Sequence, residues 1–203
     1  MYIPKYFEVT DIPELVKFIK AHSFGTLFSQ TDGAPYATHL PFLIEQDDSG
    51  QYYLLGHMAK TNPHWTYIDG QVLVVFQGPH TYISPTWYQE ENTVPTWNYT
   101  AVHVYGEYIP VTLQDELAGI LNQTISTYEA SMETPWTTDI RSSFNEQLMN
   151  MIVGFKLRIT SFEGKWKLSQ IHSTERRTKV IQGLRKSSDV NANQIADMME
   201  QRL

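Results

Sequence analysis

A single basic side chain stands directly before a predicted helix in the segment GHMAKTNPHW, residues 56–65. The Asn-Pro pair in this segment is typical of a helix start, where backbone N–H groups lack an intrahelical partner. Lys60 and Thr61 would add an ammonium and a hydroxyl group, and this combination binds phosphate. Lys60 is also the only lysine or arginine between positions 21 and 140. The alternative is an ordinary surface lysine in a strand–helix loop.

The stretch VLVVFQGPHTYISPTWY, residues 72–88, begins as a core strand and ends in rings and hydrogen-bonding groups. A segment that only turned the chain would use Gly, Asn, Asp and Ser. Flat aromatic faces occur here and further along the chain, at Trp87, Tyr88, Trp97, Tyr99 and Trp166. Directed hydrogen-bonding groups accompany them at Gln77, His80, Ser84 and Asn98. This mixture is typical of a pocket for a planar ligand, but aromatics are also enriched at subunit interfaces, so both interpretations stay open.

Several classes of chemistry are excluded by the sequence. The chain has no cysteine, which excludes disulfides, thiolate metal sites and a cysteine nucleophile. It contains no G-x-G-x-x-G, Walker or G-x-S-x-G motif. Its seven histidines show no metal-ligand spacing such as H-x-H or H-E-x-x-H. We therefore predict no metal site and assign no catalytic acid, base or nucleophile.

Basic residues concentrate in residues 156–186, which hold nine of the fifteen lysines and arginines. The spacing between positions 173 and 188 predicts an amphipathic helix with Val180, Ile181 and Leu184 facing inward. Its charged face carries Arg176, Arg177, Lys179, Arg185 and Lys186. This face is either a solvated balance to the acidic remainder of the chain or a patch for weak, salt-dependent DNA binding.

The elements that must position these residues begin with an amphipathic helix from Asp11. Strands are predicted at GTLFSQ, PYATHLPFLIE, QYYLLGHM, QVLVVFQ and TAVHVYGEYIPV, the first two joined by a turn at Asp32-Gly33. An irregular aromatic loop is predicted at 79–99, with helices over 112–131 and 139–150. GFKLRITSFEGKWKLSQ is predicted to be a hairpin that turns at Glu163-Gly164. Together these elements predict an α+β fold around an antiparallel sheet or small barrel.

The composition is typical of one globular domain, since 41% of the 203 residues are hydrophobic and 18% are charged. The sequence shows no basic flank followed by an apolar run at its start. No apolar stretch approaches the roughly 20 residues of a membrane span. We expect a cytoplasmic protein.

Four motifs in order, GHMAKTNPHW, VVFQGPHTYISPTWY, VPTWNYTAVHVYG and GKWKLSQ, resemble the PaiB family over nearly the whole chain. That family is described as FMN-binding and as a negative transcriptional regulator of sporulation and degradative enzymes. The resemblance implies an antiparallel split β-barrel of the flavin-reductase and pyridoxamine-oxidase kind, forming a homodimer with FMN at the subunit interface. We expect the barrel domain to span residues 1–172, followed by a helical extension, residues 173–203.

The resemblance also assigns roles to individual residues. Lys60, with His57 and Thr61, matches the segment that holds the FMN phosphate. The backbone around His39 and Leu40 would lie against the isoalloxazine ring. The other implied FMN contacts, which line or close the pocket, are Gln77, His80, Trp97, Asn98, Trp166 and Lys167.

Three functions stay open at this point, because a fold does not decide a function. The first is a regulatory, flavin-binding homodimer that contacts DNA or another regulator. The second is an FMN-dependent oxidoreductase acting on a nicotinamide or a small substrate, in which the cofactor would carry the chemistry. The third is a protein-interaction module without flavin, whose aromatic residues are purely interfacial.

Overall fold

The computed structural model describes residues 1–31 and 33–203 of the chain. The strands are Glu8–Val9 (β1), Phe24–Thr31 (β2), Ala34–Pro41 (β3), Leu43–Gln46 (β4), Tyr52–Ala59 (β5), Gln71–Ile83 (β6), Thr96–Val111 (β7) and Ile152–Lys167 (β8). The helices are Ile12–Ala21 (α1), His64–Tyr67 (α2), Gln114–Glu129 (α3), Ser143–Met149 (α4), Thr174–Leu184 (α5) and Val190–Glu200 (α6). Asp32, in the predicted first turn, lies outside the described residues, and its neighbour Gly33 has a φ of 79°.

One sheet contains all eight strands of the described chain. Its order is β3–β2–β6–β7–β8–β5–β4, and β1 pairs with β8 off this path. The pairings are antiparallel in β2–β3, where Phe24 faces Pro41, and in β5–β8, where His57 faces Gly154. The predicted α+β fold around an antiparallel sheet is therefore confirmed.

The chain divides into two compact units that interleave along the sequence. The first unit holds residues 1–18, 76–103 and 162–203, and the second holds 19–75 and 104–161. Residues 173–203, predicted to be a separate extension, group with the first unit. The division at residue 172 stays a prediction.

The core of the second unit follows the alternation of its strands. Inward-facing positions include Leu27 of β2, Val74 of β6 and Phe155 of β8, all of them buried. Phe42 lies between β3 and β4 and packs its ring edge-on against Phe155, with the ring centroids 6.1 Å apart. The chain bends at Phe42, so the single strand predicted over PYATHLPFLIE is two strands. The first pairs with β2 and the second pairs with β5.

The core of the first unit combines strand ends with helices. Helix α1 begins where predicted, since the carboxylate of Asp11 accepts a hydrogen bond from the Glu14 N–H at 2.9 Å. Helices α5 and α6 lie within the helical extension predicted over residues 173–203, and residues 185–189 separate them. The buried apolar residues of these helices include Leu15, Phe18, Val180, Ile181, Leu184, Ala192, Ile195, Ala196 and Met199.

The predicted irregular loop at 79–99 is shorter than expected. Strand β6 continues to Ile83, and β7 already begins at Thr96. After Pro79 the period-two alternation resumes, with Thr81 buried and Tyr82 exposed. The predicted strand QVLVVFQ ends at Gln77, because Gly and Pro commonly end strands, but β6 passes through Gly78 and Pro79.

The predicted hairpin at Glu163-Gly164 is wrong, because β8 runs without a turn from Ile152 to Lys167. Gly164 lies opposite Val9 of β1. A methyl group at Gly164 would come within 2.3 Å of Leu15 Cδ2 and 2.9 Å of the Val9 carbonyl oxygen. The glycine therefore permits close packing of α1 and β1 and does not reverse the chain.

No helix among the described residues is long and apolar enough to span a membrane.

Candidate functional site

The residues predicted to contact flavin are distributed over both units. In the second unit they are His39, Leu40, His57, Lys60 and Thr61. In the first unit they are Gln77, His80, Trp97, Asn98, Trp166 and Lys167. Each group is described here within its own unit.

Strand β3 presents His39 on its exposed face and Leu40 on its buried face. The Nδ1 atom of His39 lies 2.8 Å from the Thr26 hydroxyl oxygen on β2. The ring of Phe24, which is largely exposed, stacks on the His39 ring at a centroid distance of 6.4 Å. These contacts fix the imidazole at the edge strand of the sheet.

Lys60 lies in the loop between β5 and α2, and its backbone is held firmly. Its N–H donates to the Met151 carbonyl at 2.8 Å, and its carbonyl accepts from the Trp65 indole N–H at 3.0 Å. Its side chain is exposed and pairs with no carboxylate in the described chain. The Asn62 side-chain oxygen accepts from the His64 N–H at 3.0 Å, just before α2 begins at His64. Helix α2 has only four residues, so it offers little to an anion beyond Lys60 itself.

His64 is a fully buried polar group to which the sequence analysis assigned no role. Its Nε2 lies 2.8 Å from the Ser29 hydroxyl oxygen, and its Nδ1 lies 2.7 Å from that of Thr38. Tyr36 covers the ring at a centroid distance of 4.7 Å. Burial lowers the pKa of the His64 imidazole. Through these contacts the imidazole fixes α2 to the β2–β3 pair, which brings together three segments that are distant in the sequence.

In the first unit, four side chains on β6 and β7 form an exposed group that we call the Trp97 surface: Gln77, His80, Tyr82 and Trp97. The Gln77 amide nitrogen lies 3.3 Å from His80 Nδ1. The Trp97 ring centroid is 6.3 Å from that of His80 and 6.2 Å from that of Tyr82. Trp97 remains 53% exposed. Gln77, His80 and Trp97 were predicted to contact flavin. Tyr82 is the fourth member of the surface and was not among the predicted flavin contacts.

Trp97 and Asn98 are neighbours on β7, and Trp166 and Lys167 are neighbours on β8. The two side chains of each pair point to opposite faces of the sheet, because neighbouring residues on a strand alternate between its faces. Asn98 is fully buried and donates to the Ser169 hydroxyl oxygen at 3.0 Å. Trp166 is also buried, with its ring 4.8 Å from that of Phe18. The Trp166 ring is therefore a core side chain in this structure.

Asn98 and Lys167 instead line a cavity of about 320 Å³ in the first unit, which we call the Lys167 cavity. Its lining includes the apolar or aromatic side chains Phe7, Tyr88, Val94 and Ile171 and the polar or basic side chains Thr96, Asn98, Lys167, Ser169, His172 and Arg176. No aspartate or glutamate is among the described residues that line it. Asn98, Lys167, Tyr88 and Arg176 were all candidate residues in the sequence. No sequence pattern indicated that they line the same cavity.

The protonation of the cavity's basic groups reflects their burial. Burial lowers the pKa of Lys167, and the neighbouring charge of Lys165 lowers it further. The His172 pKa is lowered by burial and by the Arg176 guanidinium. The Tyr88 pKa is raised by burial. The Lys167 ammonium and the His172 imidazole therefore lie in an environment that disfavours additional positive charge.

Ion pairs and hydrogen bonds within the chain largely neutralise the basic face of α5. Arg177 is 7% exposed, and its guanidinium donates to the Arg202 carbonyl at 2.5 Å. Arg176 and Lys179 contact Glu90, and Lys179 also contacts Glu175. Arg185 pairs with Asp197 at 2.5 Å and Glu200 at 2.8 Å. Lys186 alone among these five is exposed without an ion pair in the described chain.

The structure contains no cluster of three or more His, Asp or Glu side chains that could hold a metal ion, within the described ranges. The predicted inward face of α5 is confirmed, since Val180, Ile181 and Leu184 are buried.

Comparison with known sequences matches the chain to a protein family and to individual relatives. Residues 1–161 match the protein family described as "Putative FMN-binding domain". The chain is also 42% identical over 206 residues to the Bacillus subtilis (strain 168) protein named "Protease synthase and sporulation protein PAI 2". That alignment covers 100% of this chain and 98% of the relative.

Comparison with solved structures identifies the fold. The flavocytochrome Anf3 from Azotobacter vinelandii superposes with a TM-score of 0.65 at 11% identity, covering 87% of this chain and 78% of that one. The FAD and heme binding protein from Mycobacterium smegmatis gives a TM-score of 0.63 at 13% identity, covering 84% and 78%. At these identities the likeness concerns the fold alone. The predicted antiparallel split-barrel fold, with several helices, is thus confirmed.

Proposed function

The chain belongs to the PaiB family, whose members carry this FMN-binding domain, and from this premise we propose that it is a flavin-binding homodimer with a regulatory function. The family match over residues 1–161 supports a flavin cofactor. We propose FMN as the specific form. The name of the B. subtilis relative, which refers to protease synthase and sporulation, supports a role in controlling gene expression, and we propose that role for this chain.

The observation that carries the proposal is the Trp97 surface. Its indole is more than half exposed on a sheet strand, which leaves a large flat apolar face in contact with water. Stacking a planar ring on this face would remove both apolar surfaces from water. The Gln77 amide and the His80 imidazole lie beside it and could hydrogen-bond the polar edge of an isoalloxazine ring. A few placed polar groups around an aromatic face are typical of cofactor sites.

The phosphate of FMN is proposed to contact the Lys60 segment of the second unit. The Lys60 ammonium is exposed and pairs with no carboxylate in the described chain, while its backbone is fixed at both ends. The accompanying contacts of His57, Thr61, His39 and Leu40 remain proposals that rest on the family resemblance. Lys60 discriminates between FMN and riboflavin, because only FMN carries the anion.

The homodimer is proposed from the exposed aromatic residues of the first unit. Tyr82 and Trp97 are large side chains that remain about half exposed. Aromatic residues of this kind are enriched in subunit interfaces. The proposed interface includes the barrel strands and residues 79–99. A second copy and a flavin ring could share this surface.

The visible spectrum of the purified protein, with and without added FMN, tests the proposal. We expect bound FMN to give a flavin absorption band that stays with the protein on gel filtration. Trp97→Ala should weaken FMN binding, while Trp136→Ala should not, because Trp136 is a comparably exposed indole at 56%. A protein that takes up no FMN, or a Trp97→Ala variant that binds it as well as the wild type, would contradict the proposal. Turnover of NADH or NADPH would instead identify an oxidoreductase.

A further inference from the structure

The Lys167 cavity contains an ammonium group without a counter-ion. Lys167 Nζ donates to the Thr96 hydroxyl oxygen and pairs with no carboxylate among the described residues. Lys165, two positions earlier on β8, is buried, and among the described residues its ammonium donates to the Tyr2 carbonyl and lies over the Tyr2 and Tyr99 rings. Within the described part of the chain, these two lysines therefore place positive charge in one region without an acidic partner.

This arrangement is unfavourable unless an anion completes it. A partly buried charge loses hydration, and only an opposite charge or strong hydrogen bonds offset that loss. The lowered pKa of Lys167 reflects the same cost. The rest of the molecule makes the arrangement more unusual, since the whole chain has a formal net charge of −7.

Arg176, which lines the same cavity, has its charge balanced by contacts within the chain. Its Nε lies 3.3 Å from a Glu90 carboxylate oxygen, and its guanidinium lies 4.7 Å from the centroid of the Tyr88 ring. The charge of Arg176 is therefore already matched within the chain. Lys167 is the group that is left to receive a ligand charge.

The other side chains that line the cavity fit a ligand that is mostly apolar and carries one polar group. Tyr88, Phe7 and Ile171 supply aromatic and aliphatic surface. The polar floor is the hydrogen-bonded pair of Asn98 and Ser169. Ser169 has a φ of 63°, a conformation that is uncommon for residues other than glycine, and such positions concentrate at binding sites.

We propose that the Lys167 cavity binds a small organic acid, a carboxylate on a flat apolar body, at a site distinct from the Trp97 surface. One unpaired ammonium group matches a single negative charge, which favours a carboxylate over a phosphate dianion. The site is distinct because Trp97 and Asn98 are neighbours on β7 and point to opposite faces. The cavity volume of about 320 Å³ accommodates a bicyclic aromatic acid. Such a ligand would be an effector of the protein in addition to its flavin.

Calorimetric titration of the full chain with 2-naphthoate tests the proposal, with the uncharged 2-acetylnaphthalene as the matched ligand. We expect 2-naphthoate to bind and the ketone to bind at least about ten-fold more weakly, the effect of one charge-assisted hydrogen bond. Lys167→Met should weaken 2-naphthoate by a similar factor and leave the ketone unchanged. Lys167→Arg should retain most of the affinity, and Lys20→Met, at an exposed lysine of α1, should retain all of it.

A parallel titration with FMN separates this site from the proposed flavin site. FMN should not displace 2-naphthoate. Thermal unfolding of each variant shows that the substitution has not unfolded the chain. The proposal is overturned if 2-naphthoate does not bind, if Lys167→Met binds it as well as the wild type, or if FMN displaces it. A failure of FMN to bind at all would contradict the proposed function without affecting this test.

Discussion

Gly183 of α5 lies directly against the indole ring of Trp87, so that a methyl group at Gly183 would come within 2.4 Å of the ring carbon Cδ2. The contact joins α5 to the short 3₁₀ turn Pro85–Trp87 that follows β6. Lys179, one turn earlier, donates to the Tyr88 carbonyl at 3.3 Å. Helix α5 is therefore an integral part of the first unit.

This contact predicts that a glycine-to-alanine substitution in a helix lowers the stability of the protein. Alanine normally stabilises a helix position, but Gly183→Ala should destabilise the protein by about 1–3 kcal/mol because the methyl group overlaps the Trp87 ring. Gly119→Ala in α3 is the matched control, since nothing lies within 4 Å of the new methyl group. It should stabilise the protein by about 0.4–1 kcal/mol. Urea unfolding of both variants checks the prediction, and a stabilising Gly183→Ala would show that the contact does not form.

Elements with a clear period could be predicted from the sequence. Helix α1 has apolar residues at helical spacing and an acidic cap, and β5 and the first part of β6 carry uninterrupted strand patterns. Two of the wrong predictions concern Gly164 and the Gly78-Pro79 pair. In each case the sequence shows a residue that permits a turn, and only tertiary packing decides whether a turn forms.

The candidate site could be predicted in its residue types but not in its grouping. The sequence shows that Trp97, Asn98 and Lys167 combine rings, amides and charge. Which face each residue occupies depends on the strand register, since a shift of one position exchanges the faces. The His64 contacts and the Lys167 cavity join segments far apart in the chain, so no local pattern indicated either of them.

The phosphate contact predicts that Lys60→Ala separates two flavins. A charge-assisted hydrogen bond contributes about 1.5–3 kcal/mol, so FMN affinity should fall by roughly one to two orders of magnitude. Riboflavin affinity should be nearly unchanged, because riboflavin has no phosphate. Fluorescence titration of both ligands measures the difference, with Lys20→Ala as the control at another exposed lysine. An equal loss for both flavins would remove Lys60 from the phosphate site.

The buried His64 predicts a loss of stability in mild acid. Its pKa is lowered in the folded protein, so below about pH 6.5 the unfolded chain takes up a proton that the folded chain does not. The free energy of unfolding should therefore fall as the pH decreases through this range, by up to about 1.4 kcal/mol per pH unit for this proton. His64→Gln should reduce that slope in urea unfolding between about pH 7.5 and 5.5. An unchanged slope would show that His64 is protonated in the folded state. His39→Gln provides the same substitution at an exposed histidine.

The proposed homodimer predicts a sedimenting mass of twice the 23.5 kDa chain at micromolar concentration. Tyr82→Glu should shift the protein toward the monomer, because it places a charge on the proposed interface. Tyr67→Glu changes a tyrosine of similar exposure, 47% against 45%, outside that interface, and should leave the dimer intact. A wild-type monomer, or equal effects of the two variants, would contradict the shared-surface proposal.

The basic face of α5 predicts DNA binding that is weak at best. Three of its five basic residues, Arg176, Lys179 and Arg185, pair with four carboxylates, those of Glu90, Glu175, Asp197 and Glu200, so phosphate would have to displace existing ion pairs. Any binding should be detectable only at low salt, be lost between about 50 and 200 mM salt, and depend on the unpaired Lys186. Fluorescence anisotropy of a labelled duplex should show that Lys186→Glu abolishes it, with Lys20→Glu as the control. Arg177 is unsuitable for this test, because its buried guanidinium holds the C-terminal carbonyls and its loss would destabilise the fold. Binding that persists at high salt, or that survives Lys186→Glu, would place the DNA contact on another surface.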